Sequence, residues 1–321
     1  MTDAPPDLSI VVPMHNEAGN VEPLYDEIVA ALAPLGRTAE ILVVDDGSTD
    51  ETFERLRGLH ARVEGAQGAR YPLRVLRLGR RFGKAVALDV AFRQVRGGIV
   101  FTLDGDLQDD PKEIPRFLAK LDEGCDLVSG WKRTRHDPAS KVVPSRIFNA
   151  VVSRLTGIPL HDFNCGFKAY RGEVVRGLRL YGGLHRFIPV LADAKGLRIG
   201  EIEVEHRPRT RGRTKYGFAR LLSGPLDLLA VLLLTRFAGR PLRLFGGPAL
   251  VACLAGLALE LCVLIQWLAG DVLAARRPAF WVGALLILLG TQLLSVGLIA
   301  ELIVSHRADS AEPTAVVERL G

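Results

Sequence analysis

Phe101-Thr-Leu-Asp-Gly-Asp-Leu-Gln-Asp109 decides how the first half of this chain is read. An apolar run, Ile99 to Leu103, stops at two carboxylates, Asp104 and Asp106, separated by one glycine, with Gln108 just beyond. A strand ending this way delivers both side chains into the small space past its carboxyl end. A few oxygen ligands there suit a hard divalent cation, with substrate and water completing the shell. Alone, Asp-Gly-Asp is more often a solvated turn, so the flanking sequence has to decide.

Outward from this stretch the same pattern recurs. Leu8-Ser-Ile-Val-Val12 runs into Pro13, Glu40-Ile-Leu-Val-Val44 into Asp45-Asp-Gly-Ser-Thr-Asp50, Leu73 to Leu78 into Gly79, and Asp126-Leu-Val-Ser129 into Gly130. Helical patterns lie between: Asn20 to Ala33, a segment from about Glu51, Gly83 to Val95, and one after Asp110-Pro111. Ser48 and Glu51 are spaced as a capping box, and Asp110 reads as an N-cap before a first-turn proline. The alternation predicts an α/β domain with a mainly parallel sheet covered by helices on both faces. Beyond it the sequence predicts a helix from Ser140 to Thr156, a loop from His161 to Lys168, more helix, a strand near Arg198 to Glu205, and a basic loop from His206 to Gly217.

Ligands of such sheets bind at the carboxyl ends of the strands, and the unusual polar residues fall there. Glu17, Asp45 or Asp46 could accept hydrogen bonds from a base or ribose, Lys84 could neutralise phosphate, and Asp104, Asp106 and Gln108 could hold a metal. Gly83-Lys84 is not a Walker A loop, because position 78 is leucine and Ala85 replaces the magnesium-binding hydroxyl. No Gly-x-Gly-x-x-Gly follows a strand either. A P-loop NTPase and an ordinary dinucleotide dehydrogenase are therefore excluded.

After about Leu242 charge nearly vanishes. Residues 244–269 are apolar except for Glu260 and Gln266, and residues 279–304 except for Gln292 and Glu301. About 20 such residues suffice to cross a hydrocarbon core of about 30 Å, and the connector from Gly270 to Pro278 is too short for a domain. A transmembrane hairpin is expected. Arg236, Arg240 and Arg243 precede it and His306 and Arg307 follow, against Asp271, Arg276 and Arg277 in the connector. That bias predicts both termini in the cytoplasm. Asp3, Pro5, Pro6 and Asp7 stand where a basic-then-apolar leader would lie. The expectation is an integral protein of the cell membrane with a cytoplasmic catalytic domain over residues 1–217. An interfacial helix (218–240, carrying Pro225 and Asp227), the hairpin (241–306) and a cytosolic tail (307–321) follow. Glu301 is placed to pair with Arg307, and Glu260 reads as a helix contact in a homo-oligomer.

Net charge is +5. Aromatic interleaving is sparse and no nucleic-acid motif occurs, so the basicity points to anionic lipid headgroups rather than nucleic acid. Cys125, Cys165, Cys253 and Cys262 lack paired metal spacing and fit a reduced setting.

Seven segments occur together in one order: Val11-Val-Pro-Met-His-Asn-Glu17, Val43-Val-Asp-Asp-Gly-Ser-Thr-Asp-Glu-Thr52, Phe82-Gly-Lys84, Asp104-Gly-Asp-Leu-Gln-Asp109, Asn164-Cys-Gly-Phe-Lys168, Arg186-Phe-Ile-Pro189 and Arg209-Thr-Arg-Gly-Arg-Thr-Lys-Tyr-Gly217. As a set they resemble the family 2 glycosyltransferases of GT-A fold, in the polyprenyl-phosphate branch of dolichyl-phosphate mannose synthases and bactoprenol-phosphate glucosyltransferases. The resemblance covers residues 8–217, and the two-span tail is similar to the bactoprenol type. It implies transfer of a sugar from a nucleotide diphosphate to a polyprenyl phosphate. By position, Pro13, Glu17, Asp45, Asp46, Lys84 and Gly105 would line the nucleotide sugar. Asp104, Asp106 and Gln108 would hold Mg2+ or Mn2+, and Arg209 and Lys215 would close over the diphosphate. Thr214 stands where the family often has serine, keeping the hydroxyl.

A phosphate monoester has a second pKa near 6, so the implied acceptor is largely a dianion and needs no strong general base. The barrier falls through cation stabilisation of the leaving diphosphate and through alignment, with single displacement and inversion expected. Asp162 is placed either to orient the sugar or act as base, or to anchor its loop. Lys132, Arg133 and Arg146 are the candidates for the acceptor phosphate. UDP-glucose is the first donor expectation, with GDP-mannose, UDP-N-acetylglucosamine and a modified pentose as alternatives. A processive polysaccharide synthase lacks its Gln-x-x-Arg-Trp motif here, and a non-catalytic nucleotide-sugar-binding scaffold would not need the aspartates and diphosphate cations retained.

Overall fold

The computed structural model describes residues 4–65, 70–134, 139–208, 227, 228, 230, 231, 235, 242–270 and 278–308. The chain divides into two units, Met1–Val231 and Leu232–Gly321.

The first unit is built on seven strands: β1 (Leu8–Met14), β2 (Ala39–Asp45), β3 (Leu73–Arg77), β4 (Ile99–Thr102), β5 (Leu127–Trp131), β6 (Lys168–Arg171) and β7 (Ile199–Glu203). They lie in the order β3-β2-β1-β4-β6-β5-β7. All pairings are parallel except those of β6, which is antiparallel to both neighbours. The mainly parallel sheet is as expected; β6 is not. The sequence reading placed a loop and then helix there. Four residues, Lys-Ala-Tyr-Arg, are too few to display a period, and their conformation comes from the two ladders they complete.

The helices of this unit are α1 (Val21–Leu32), α2 (Thr52–Gly65), α3 (Lys84–Phe92), α4 (Ile114–Asp122), α5 (Ala139–Thr156), α6 (Gly172–Arg176) and α7 (Ile188–Asp193). β1 and β2 are buried almost throughout, as strands covered on both faces must be. Phe101 of β4 packs edge-on against Phe117 of α4, with centroids 6.0 Å apart, and Phe117 lies 4.4 Å from Phe167. Burial of each such ring contributes roughly 1.5–3 kcal/mol. That cluster fixes the end of β4, from which Asp104 emerges two residues later.

Asp110 caps as expected, accepting the Lys112 amide at 3.0 Å ahead of Pro111. The expected Ser48–Glu51 capping box does not form. Helix α2 begins at Thr52, and Asp50 accepts the Thr52 amide at 3.0 Å. Ser48 Oγ instead accepts the Asn16 amide at 2.9 Å. The hydroxyl ties two strand-end loops together, a long-range use that local spacing does not reveal.

The second unit contains α8 (Leu242–Leu268) and α9 (Pro278–Ala308), each long and apolar enough to cross a membrane. They pack antiparallel along glycines at 256, 283, 290 and 297. A Cβ at Gly256 would stand 2.6 Å from the Gly283 carbonyl, and one at Gly290 would stand 2.3 Å from Cys253 Sγ. Small residues recurring at seven in α9 let the backbones approach closely, the usual device of helix pairs in lipid. Glu301 Oε2 accepts the Leu242 amide at 3.0 Å; the side chain of Arg307, its expected partner, lies outside the described residues. An uncapped helix terminus competes strongly for a nearby carboxylate. Glu260 faces Gly283, with Oε1 buried. Most of the proposed interfacial helix and residues 271–277 of the hairpin connector fall outside the described residues.

Candidate active site

The strand order reverses direction between β1 and β4, which places a crevice at their carboxyl ends, where open α/β sheets bind ligands. The loops that follow β1, β2 and β4 all converge on it.

β2 contributes Asp46. Its amide donates to the Met14 carbonyl at 2.8 Å, extending the ladder one residue. Its two carboxylate oxygens accept the amides of Phe82 and Gly83, at 2.7 and 2.9 Å. Gly83 has φ +97°, a left-handed conformation that glycine adopts without strain. Asp46 thus shapes the turn from which Lys84 opens α3. The Lys84 ammonium then rests on Asp104 Oδ1.

β4 contributes the aspartates. The Asp104 amide donates to Asp109 Oδ2 at 3.2 Å, and Lys132 Nζ lies 2.6 Å from Asp109 Oδ1. Leu107 has φ +61°, a strained value for a side chain of this size. It turns the chain so that Asp106 Oδ1 accepts the Gln108 amide at 3.3 Å. Gln108 Nε2 reaches the Arg207 carbonyl at 3.2 Å, and the Arg207 amide returns to the Gln108 carbonyl at 3.0 Å. Arg207 also pairs with Asp110, and with Glu27 at 2.8 Å.

Three lysines surround the first aspartate. Burial pushes the Asp104 carboxyl up, but the ammonium groups of Lys84, then Lys132 and Lys168 outweigh it and hold it at about 2. Burial works against charge on Lys132 too, yet Asp109 raises it well above the ordinary lysine value. Burial lowers the Lys168 ammonium, which donates to the carbonyls of Cys165 and Phe163. Burial also pushes the Cys165 thiol up to about 12.

The loop before β6 closes the site from the other side. Thr102 Oγ1 donates to the Gly166 carbonyl at 2.8 Å, and Gly166 lies flush against the Asp104 carboxylate. Asp162, buried, accepts the Asn164 amide at 3.1 Å and receives Asn149 Nδ2 at 3.5 Å. Its own amide donates to Glu201 at 3.1 Å.

Beside the crevice, His15, Ser48, Thr49, Arg77, Arg80 and Arg81 help to line a recess of about 730 Å3 at the carboxyl ends of β1, β2 and β3. It is rich in cations and lies next to the Asp46 turn.

The structure therefore brings Asp46, Lys84, Asp104, Asp106 and Gln108 to one end of the sheet. Pro13 and Gly105 belong to the same floor: a Cβ at Gly105 would stand 2.8 Å from Met14 Cγ and 3.3 Å from the Pro13 carbonyl. Glu17 is buried, its Oε2 accepting from Asn20 Nδ2 at 2.7 Å. Asp45 is wholly buried, accepting the Ser48 amide at 3.1 Å, with Arg77 Nε 3.6 Å away. Lys132 is turned inward onto Asp109. Arg133 is exposed beside Glu203, and Arg146 is exposed on α5. Arg209 and Lys215 lie outside the described residues. Asp109 was not singled out from sequence, although its place at the end of the Asp-Gly-Asp-Leu-Gln-Asp run was a signal. Lys168 entered the sequence reading only as the end of Asn164-Cys-Gly-Phe-Lys168, with no role assigned.

Among the described residues, no group of three or more His, Cys, Asp and Glu side chains is arranged to hold a metal. Asp104, Asp106 and Gln108 do carry oxygen donors at this end of the sheet, the donor chemistry that a hard cation takes. It suits a cation that takes its other oxygens from substrate and water.

A family model described as glycosyl transferase family 2 matches residues 9–179. Dodecaprenyl-phosphate galacturonate synthase of Rhizobium johnstonii is 36% identical over 320 residues, covering 98% of this chain and 93% of that protein. Undecaprenyl-phosphate 4-deoxy-4-formamido-L-arabinose transferase of Pseudomonas aeruginosa is 36% identical over 315 residues, covering 98% and 90%. Among solved structures, glucosyl-3-phosphoglycerate synthase of Mycobacterium tuberculosis, in complex with Mn2+, UDP-glucose and glycerol 3-phosphate, superposes with a TM-score of 0.51. Its sequence identity is 24%, and the match covers 72% of this chain and 80% of that one. At that identity the likeness speaks for the fold.

Proposed function

The chain belongs to glycosyl transferase family 2 and is a glycosyltransferase; on that footing we propose that it moves a sugar from a nucleotide diphosphate to a membrane polyprenyl phosphate, with inversion. The observation that carries the reading is the Lys84–Asp104 pair at the carboxyl end of β4, with Asp106 and Gln108 beside it and the cationic recess next to it. The acceptor class is supported by relatives that span almost the whole chain and are named for polyprenyl phosphates.

In this reading the recess seats the nucleoside and the diphosphate lies over Lys84. Asp104, Asp106 and Gln108 would hold Mg2+ or Mn2+, which would supply Lewis-acid neutralisation of the departing diphosphate. Lys84 adds a fixed positive charge where negative charge accumulates in the transition state. Asp46 keeps the turn that aims Lys84, and Lys132 with Asp109 holds the backbone of Asp104. Asp162 anchors the loop that carries Gly166, since its carboxylate already serves Asn164 and Asn149. Arg133 and Arg146 remain the exposed candidates for the acceptor phosphate, and Arg209 and Lys215 for closure over the donor.

Residues 1–217 form the catalytic domain, 218–240 an interfacial helix and 241–306 a transmembrane hairpin, with both termini cytoplasmic. The basic flanks of the hairpin support that orientation. UDP-glucose was the first donor expected from sequence. The relatives are named for galacturonate and 4-deoxy-4-formamido-L-arabinose, so the donor panel spans neutral, acidic and modified-pentose sugars.

The full chain in proteoliposomes holding undecaprenyl phosphate, given Mg2+ or Mn2+ and each nucleotide sugar in turn, should form a glycolipid detectable by mass spectrometry. Chelator should abolish it. Product formation undiminished by chelator would remove the metal, and no product with any donor would remove the reading.

A further inference from the structure

Lys168 is buried where a protein seldom keeps an ammonium. It opens β6, is 2% exposed, and lies in register with Thr102 of β4 and Ser129 of β5. Burying a lysine is costly unless its N–H groups are bonded. Its Nζ donates to the Phe163 carbonyl at 3.2 Å and to the Cys165 carbonyl. Both acceptors belong to the loop that enters β6, so the ammonium serves backbone oxygens of that loop. So enclosed, it cannot itself reach a substrate; whatever it does for the site it does through the loop.

The loop is gripped from two sides. Asp162 Oδ1 accepts the Asn164 amide at 3.1 Å, while Lys168 gathers the carbonyls of Phe163 and Cys165. The next carbonyl, that of Gly166, accepts from Thr102 Oγ1 at 2.8 Å. The two peptide groups that flank the Gly166 Cα are therefore both held, one by Lys168 and one by Thr102. That Cα abuts the Asp104 carboxylate, since a Cβ on it would stand 2.4 Å from Oδ2. Thr102 lies two residues before Asp104 on the same strand. Lys168 is the tie that comes from elsewhere in the chain. We propose that Lys168 is a positioning residue for Asp104, holding the Cys165–Gly166 peptide so that Gly166 walls the carboxylate and confines it. The inference rests on the reading of Asp104 as a metal carboxylate.

The test separates position from charge, which act in opposite directions. Lys168 is among the ammonium groups whose field reaches Asp104, so removing its charge and nothing else would tighten a cation there. Removing the brace loosens it, by about 10- to 100-fold, as changes to the outer partners of metal ligands do. The full chain in nanodiscs is titrated with Mn2+, with and without UDP, and the free ion is followed by its EPR signal. Lys168→Met, similar in length and without donors, should weaken binding about tenfold or more. Lys168→Gln, which keeps an amide donor, should weaken it less, and it carries the test if the Met variant does not fold. The double variant of Lys168→Met with Gly166→Ala should bind hardly more weakly than Gly166→Ala alone. Unchanged or tighter binding in a folded Lys168 variant, or losses that add to those of Gly166→Ala, overturns the positioning role. Asp104→Asn binding as the wild type does, or a wild type that binds no Mn2+ in either condition, overturns the metal reading itself.

Discussion

Gly166 presses its Cα against the Asp104 carboxylate: a Cβ built at 166 would stand 2.4 Å from Oδ2 and 2.7 Å from Oδ1. Two segments more than sixty residues apart thus share one van der Waals contact at the proposed metal carboxylate. No side chain larger than hydrogen fits without moving Asp104.

Gly166→Ala should therefore cost activity more than stability. The Asp104 side chain is only partly buried, 32% exposed, and can swing aside, but then loses its line to Lys84. We expect kcat to fall about 100-fold, in the range seen when one preorganised charge contact is misplaced. Gly58→Ala is the control, since nothing lies within 4 Å of its added Cβ in α2. It should keep activity and raise Tm slightly. Equal activity in the two variants would show that the contact is not functional.

Lys84→Met keeps the length of the side chain and removes the charge. Turnover should drop about 100- to 1000-fold, while thermal unfolding barely shifts because the Lys84–Asp104 pair is partly open to solvent. Lys84→Arg should restore part of the rate. A rate loss confined to KM would place Lys84 in ground-state binding instead.

Asp46 acts on Lys84 through the turn that it holds. Asp46→Ala and Lys84→Met should then be strongly non-additive, with the double variant hardly slower than Lys84→Met alone. A coupling of about 1–3 kcal/mol is expected from residues that act through each other. Additive losses would mean that Asp46 serves the nucleotide independently, as the sequence reading had it.

At the opposite, amino-terminal end of the sheet, Glu40 is fully buried and accepts from Ser9 Oγ at 2.7 Å, Arg74 at 2.9 Å and the Arg96 amide at 2.8 Å. Burial alone would raise its carboxyl, but Ser9, Arg74 and Arg96 together hold it below the ordinary value of 4.5. A lowered folded-state pKa adds stability above the unfolded value, which is lost as pH falls through it. Glu40→Gln should cost about 1–3 kcal/mol at pH 7, and the gap should shrink below pH 4.5. A gap that stays constant with pH would show that the charge is not what stabilises.

Much of this was legible in one dimension. Strand ends at Pro13, Asp45 and Asp104, the Asp110-Pro111 cap and the two apolar spans each announce themselves through composition or period. Burial on both faces forces the strands to be continuous apolar runs, and a hydrocarbon core forces the spans to be long and uncharged. Asp104, Asp106 and Lys84 could be nominated because a parallel sheet delivers whatever follows its strands to one edge.

Other features were illegible because their cause is non-local. Four-residue β6 takes its form from β4 and β5. Ser48 looked like a cap and instead bonds Asn16, thirty-two residues earlier. Lys132 was nominated for the acceptor phosphate, and spacing gave no hint that its ammonium lies on Asp109. Val143, Ile147 and Val151 of α5 are exposed, which period alone does not reveal because it does not say which side of a helix meets the core.

What the amino-acid sequence determined by itself was the sheet, the hairpin and the short roster of charges at the strand ends, since these follow from periodicity and solvent. Which charges face one another was decided only by the tertiary structure. Asp46 under the Phe82–Gly83 amides, Lys84 on Asp104 and Gly166 against that same carboxylate are contacts between distant segments. A contact of that kind depends on how layers pack in three dimensions, and spacing along the chain carries no record of it.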